Sequence, residues 1–129
     1  MKKMSRKGSL GTFLLGAAFI AGCEQMSLRE AMGRVQRKYV ILLDEFEMGS
    51  NFGCRDAALE LKLALDAPEL TRGSARAGDE EFQRLRKDAI ATLDRVPVVA
   101  NSFDREALAR MRSEVSSRCL SCHEKYRLE

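Results

Sequence analysis

Apolar side chains in this chain return every third or fourth residue and almost never every second, which restricts it to helices packed on helices. The run Leu28, Met32, Val35, Tyr39, Leu42, Phe46 advances by 4, 3, 4, 3 and 4, holding one face of a helix inward. Ser27 followed by Glu30 has the form of a capping box, so this helix is expected to begin there and continue to Met48, where Gly49-Ser50-Asn51 breaks it. A second helix is expected from about Gly53 to Ala67, with Ala57, Leu61, Ala64 and Leu65 inward and Pro68 ending it. The polar stretch from Thr71 to Gly78 carries no period and reads as the connection between helix pairs. A third helix, capped by Asp79 or Gly78, shows Phe82, Leu85, Ala89, Leu93 and Val96 before Pro97. Ser102 or Asp104 caps a fourth, in which Leu108, Met111, Val115, Cys119, Cys122 and Tyr126 repeat at the same spacing. Short connections between such helices predict an all-α, antiparallel up-down-up-down four-helix bundle.

The fourth segment carries the chemistry. Cys119-Leu120-Ser121-Cys122-His123 is the C-x-x-C-H of covalent c-type haem attachment. On a helix, cysteines three apart share a face, so both thiols can add to the two vinyl groups on one edge of a porphyrin. The adjacent histidine then presents its imidazole to the iron as proximal ligand. A bare C-x-x-C also suits a zinc site or a dithiol redox centre, so the surroundings must decide.

The other end of the chain bears on that choice. Residues 1–10 carry Lys2, Lys3, Arg6 and Lys7 and no acid, and residues 11–22 are apolar apart from Thr12. This is the pattern of a secretory signal, with an apolar stretch too short to span a bilayer permanently. It closes with Ile20-Ala21-Gly22-Cys23, which resembles the lipobox of bacterial lipoproteins. That resemblance implies a signal peptide over residues 1–22 and lipidation of Cys23. The alternative is an ordinary cleavable signal beside an incidental cysteine. More than one acyl chain is needed for stable membrane attachment, and a lipoprotein anchor supplies it. The expected location is therefore the periplasmic side of a bacterial membrane, where c-type haem is also attached.

Composition matters once the leader is set aside. Of 22 Lys and Arg, four fall in residues 1–22, leaving 18 against 19 Asp and Glu, a formal charge of −1 for residues 23–129. No basic tract is interleaved with aromatics, so nucleic-acid binding is not expected. The 107 residues left suffice for one small domain with a modest core, to which a buried haem would add.

Only residues 124–129 follow His123, and none is a methionine or a second histidine, which excludes the arrangement of the commonest small cytochromes c. A four-helix bundle with the haem motif on its last helix instead resembles the class II cytochromes c, the cytochrome c′ family. Cys119, Cys122, His123, Tyr126 and Arg127, within C-L-S-C-H-E-K-Y-R, carry the likeness: an aromatic and then a basic residue recur after the haem histidine in that family. The loops here are shorter than is typical of it. The resemblance implies one covalent haem c, redox partner proteins in the cell envelope, and homodimers as a common state. No exposed apolar stripe in the sequence distinguishes dimer from monomer.

With the first and last helices antiparallel, Met32 stands about four residues inside one end and His123 about four inside the other, level across the bundle at ~1.5 Å rise per residue. In low-spin members of the family a methionine at this place is the sixth iron ligand, so Met32 is the expected distal ligand. Its alternative role is core packing. Met111 and Met48 are placed wrongly along the helices, and Met26 is a weaker second candidate. Tyr39 and Tyr126 are expected to line the haem pocket or the core. Arg127 or Arg29 is expected to neutralise a haem propionate, as basic residues near these positions do in the family. Cys54 is left as a free thiol. Three functions compete: an electron carrier with Met32 and His123 ligation, a five-coordinate protein binding NO or CO, and a haem-free zinc module using Cys54, Cys119, Cys122 and His123. No second histidine, metal-ligand cluster or nucleotide loop marks a substrate-converting enzyme.

Overall fold

The computed structural model describes residues 27–72 and 78–125, and over these the chain is all-helical. The leader, Cys23, Met26, Tyr126 and Arg127 lie outside the described residues. Four long helices, α1 (Leu28–Met48), α2 (Asn51–Leu65), α4 (Glu80–Asn101) and α5 (Arg105–Lys125), are joined by the one-turn α3 (Pro68–Thr71) and short connections.

The helix ends follow from local chemistry. At the start of α1 the Ser27 hydroxyl accepts from the Glu30 backbone N–H (3.1 Å) and the Glu30 carboxylate accepts from the Ser27 N–H (3.4 Å), closing the capping box. At its end Gly49 adopts φ 66°, a left-handed conformation that costs glycine little, and donates its N–H to the last carbonyls of the helix. Ser50 caps α2 through the Gly53 N–H, Asp79 caps α4 through the Phe82 N–H, and Asp104 caps α5 by accepting from the Glu106 and Ala107 N–H groups. Ser102 serves the preceding helix instead, donating its hydroxyl to the Val99 carbonyl.

Neighbouring long helices run antiparallel, as the ion pairs between them record. Lys38 of α1 meets Glu60 of α2 (3.3 Å), and Lys62 of α2 meets Asp94 of α4 (2.7 Å). Between α4 and α5, Arg95 pairs with Glu114 and Glu81 with Lys125. Glu47 at the end of α1 reaches Arg112 of α5 (3.0 Å). The main core collects Leu42, Phe46, Leu61, Leu93, Val96, Met111 and Val115, with Cys54 among them. A smaller cluster of Ala31, Leu70 and Phe82 lies at the other end, with Met32 and Cys122 packed against it.

Two expectations need correction. Pro68 does not simply end the second helix: the chain leaves α2 at Asp66, and Pro68 opens α3, where its missing N–H falls among donors that a first turn leaves free anyway. Likewise α4 runs through Pro97 to Asn101. Val96 and Ala100 on either side of the proline are fully buried, and this packing carries the helix on despite the lost backbone bond. Pro97→Ala restores an N–H for the Leu93 carbonyl and should raise unfolding stability by about 1–2 kcal/mol, the helix penalty net of the stiffening proline gives the unfolded chain. Urea titration checks this; an unchanged or lower midpoint would mean the proline is already fully accommodated.

Candidate functional site

Of the four lateral contacts between long helices, that between α1 and α5 is the thinnest. Burial on α5 explains why: its fully buried residues are Leu108, Met111 and Val115, and the remaining turns to Lys125 carry none. Opposite them on α1, Leu28, Met32, Val35 and Tyr39 are only half-buried. The two helices therefore part toward this end of the molecule and leave a cleft of about 630 Å³, a volume typical of small-molecule and cofactor sites.

The cleft brings together several of the residues the sequence singled out. Met32 and Tyr39 line it from α1, and Cys119, Cys122 and His123 from α5. Cys119 packs against the main core and Cys122 against the smaller cluster that also holds Met32, so the two thiols bridge the two apolar regions. Both cysteines are half-buried and His123 is exposed. Burial, with Cys122 beside it as a second cause, pushes the Cys119 thiol up to about 12. The last turn of α5 is held by Lys125, whose Nζ lies 3.4 Å from Glu81 of α4.

Charge in the cleft is of one sign. Arg29, Arg86 and Arg118 line it from α1, α4 and α5, and among the described residues no aspartate or glutamate does. Arg29 and Arg118 are exposed and make no ion pair among the described residues. Arg86 went unnoticed in the sequence although it left a signal. It stands four residues after Phe82 and three before Ala89, on the inward stripe of α4, where a cation is out of place. A dithiol helix, an imidazole and a thioether share apolar walls with cations and no carboxylate. That donor set suits a flat apolar ligand bearing acidic groups.

The other sequence candidates fall elsewhere. Met111 is a buried core residue and Met48 is exposed at the far end of α1. There a second cleft, lined by Phe46, Met48 and Phe103 beside the Glu47–Arg112 pair, brings together no comparable set of groups. Cys54 is fully buried in the first turns of α2, beside the Glu45 end of α1 and away from Cys122. Among the described residues no three His, Cys, Asp or Glu side chains are gathered as metal ligands, and no helix is long and apolar enough to cross a membrane. Comparison of the chain with family models, curated proteins and solved structures finds no match in any of the three.

Burial, and secondarily Glu45, pushes the Cys54 thiol up to about 11, so the reactive thiolate is strongly disfavoured near neutral pH. Iodoacetamide should leave Cys54 unmodified in the folded protein and label it fully in denaturant. Labelling of the native protein at the rate of a free thiol would show that this core opens readily.

Proposed function

We propose that this chain is a lipid-anchored, periplasmic c-type cytochrome of class II, an up-down-up-down four-helix bundle that holds one haem and works in electron transfer. The observation that carries this reading is the single cleft that receives Cys119, Cys122, His123 and Met32 from opposite sides. The cysteines would hold the haem by thioether bonds, each thiol adding its sulfur and its proton across one vinyl group. His123 and Met32 would hold its iron from α5 and α1. When bound, the haem provides one-electron chemistry at its iron.

The protein's own residues set what that chemistry becomes. An imidazole from α5 and a thioether from α1 would keep the ligand set the same in both oxidation states, which would limit reorganisation, and a thioether ligand would raise the potential. The half-buried apolar side chains of α1 restrict water around the site, and low dielectric there strengthens every charge interaction. Tyr39 extends that wall; Tyr126 and Arg127 belong to the sequence pattern of the family that the motif resembles. Cys23, four residues before the cap of α1, would carry the lipid and tether the domain to the membrane, where its redox partners in the cell envelope are met. The near-neutral charge of residues 23–129 argues against strong electrostatic steering toward one partner.

A second reading rests on the packing of Met32 against the Ala31, Leu70 and Phe82 cluster. If the thioether serves only that contact, the distal side is open and the protein binds NO or CO instead.

Replacement of Met32 separates the two. Wild-type ferric protein should be low-spin and show the weak near-infrared band of methionine-to-iron charge transfer. Met32→Ala should abolish both, leave the haem attached through Cys119 and Cys122, and open the ferrous form to rapid CO binding. His123 alone gives too weak a ligand field to keep the iron low-spin. A wild-type protein that is already high-spin and binds CO at once would favour the gas-binding reading.

The anchor is tested separately, because it and the haem motif lie on different residues. Cys23→Ala should move the protein from the membrane to the soluble fraction with its haem spectrum unchanged. Continued sedimentation with membranes would overturn the lipidation of Cys23 and implicate an uncleaved leader or a membrane partner.

A further inference from the structure

Among the three arginines on the cleft, Arg86 alone is built in. It is more than nine-tenths buried, and its fork is already oriented. Nη1 donates to the Leu65 carbonyl at the end of α2 (3.2 Å) and to the Asp66 carboxylate (2.9 Å). Nε donates to the Gln83 side-chain oxygen (2.9 Å), and Gln83 in turn donates to the Leu70 carbonyl of α3 (2.8 Å). Nη2 makes no hydrogen bond among the described residues, yet no side-chain nitrogen or oxygen there is sealed off without a partner. The free Nη2 end is therefore reachable, and the cleft is what Arg86 lines.

We infer that Arg86 is the anion receptor of this cleft, taking a carboxylate of the bound tetrapyrrole through the free Nη2 end of its guanidinium. This rests on the haem reading above and adds to it a contact that the sequence assigned to other arginines. Three physical reasons single out Arg86. A guanidinium presents donors in a planar fork matched to a carboxylate. Its orientation is fixed by three acceptors before any ligand arrives. Arg29 and Arg118, both exposed, would each have to give up side-chain rotamer freedom to make the same contact. Finally, Asp66 offsets the buried charge by pairing with Nη1 and is not part of the cleft lining, so among the described residues no carboxylate of that lining competes for Nη2.

Resonance Raman spectra of the haem-loaded protein provide the test, since the propionate bending band reports hydrogen bonding to the carboxylates. Arg86→Met should shift that band toward the position of a free propionate, and Arg86→Lys, which keeps the charge and loses the fork, should shift it part-way. Arg29→Gln and Arg118→Gln should leave it in place. Asp66→Asn should lower thermal stability without moving the band, which separates an anion contact from a role in holding α2 to α4. If Arg86→Met does not fold, the lysine variant decides by the same band. A wild-type band in either Arg86 variant, or a shift confined to the Arg29 or Arg118 variants, overturns the inference while leaving the haem reading intact. A purified chain without covalent haem overturns the underlying reading and this inference with it.

Discussion

The antiparallel register of α1 against α5 is the constraint on which the rest of the molecule depends. At one end it is locked by the main core, where Leu42, Val96, Met111 and Val115 are fully or almost fully buried and each contributes on the order of 1.5–3 kcal/mol. The Glu47–Arg112 pair fixes the same register at the surface. Once that end is set, geometry alone decides which residues face each other at the other end. The first turns of α1 and the last turns of α5 meet there, and Met32 comes level with Cys122.

Much of this was legible because the relevant signals are local. The spacing from Leu28 to Phe46 is a one-face helix on any count, and Ser27 with Glu30 marks its start with two reciprocal hydrogen bonds. Placing Met32 opposite the C-x-x-C-H motif needed only the rise per residue and the direction of two helices. What the sequence could not carry was the outcome of competition between local and tertiary terms. Pro97 reads as a helix end because its lost hydrogen bond is local, whereas the burial of Val96 and Ala100 that overrides it depends on the surrounding helices. Pro68 reads equally well as a stop or as the first residue of a new turn, and only the path after Asp66 selects between them.

Arg86 shows a different limit. Its place on the inward stripe of α4 was visible, but hydrophobic periodicity is blind to a cation that is buried because its partners arrive from elsewhere in the chain. Leu65 and Asp66 come from the end of α2, and Gln83, which braces the fork from one turn away, is itself tied to Leu70 of α3. Without these acceptors a guanidinium at this depth would be strongly unfavourable. With them it becomes a held cation among the apolar side chains Leu65, Phe82, Leu85 and Ala89 of the same wall. A sequence reading can flag such a position as anomalous; the direction its free end faces follows only from the fold.

The division of labour between the two ends has an electrostatic side. Nothing in α5 beyond Val115 is fully buried, so the turns bearing Cys119, Cys122 and His123 depend on partly exposed contacts. One is Glu81, whose carboxyl is held below the usual carboxylate range first by its hydrogen bond to Arg84 and then by that to Lys125. A carboxylate whose folded-state pKa is depressed stabilises the structure above its unfolded value, and that contribution is lost as pH falls through the folded one. Because Glu81 is solvent-exposed, the contribution is small and weakened further by salt. At neutral pH the pairing therefore steadies the last turn of α5 without making it rigid. The buried core that includes Leu42 and Val115, rather than this pair, keeps the register that defines the site.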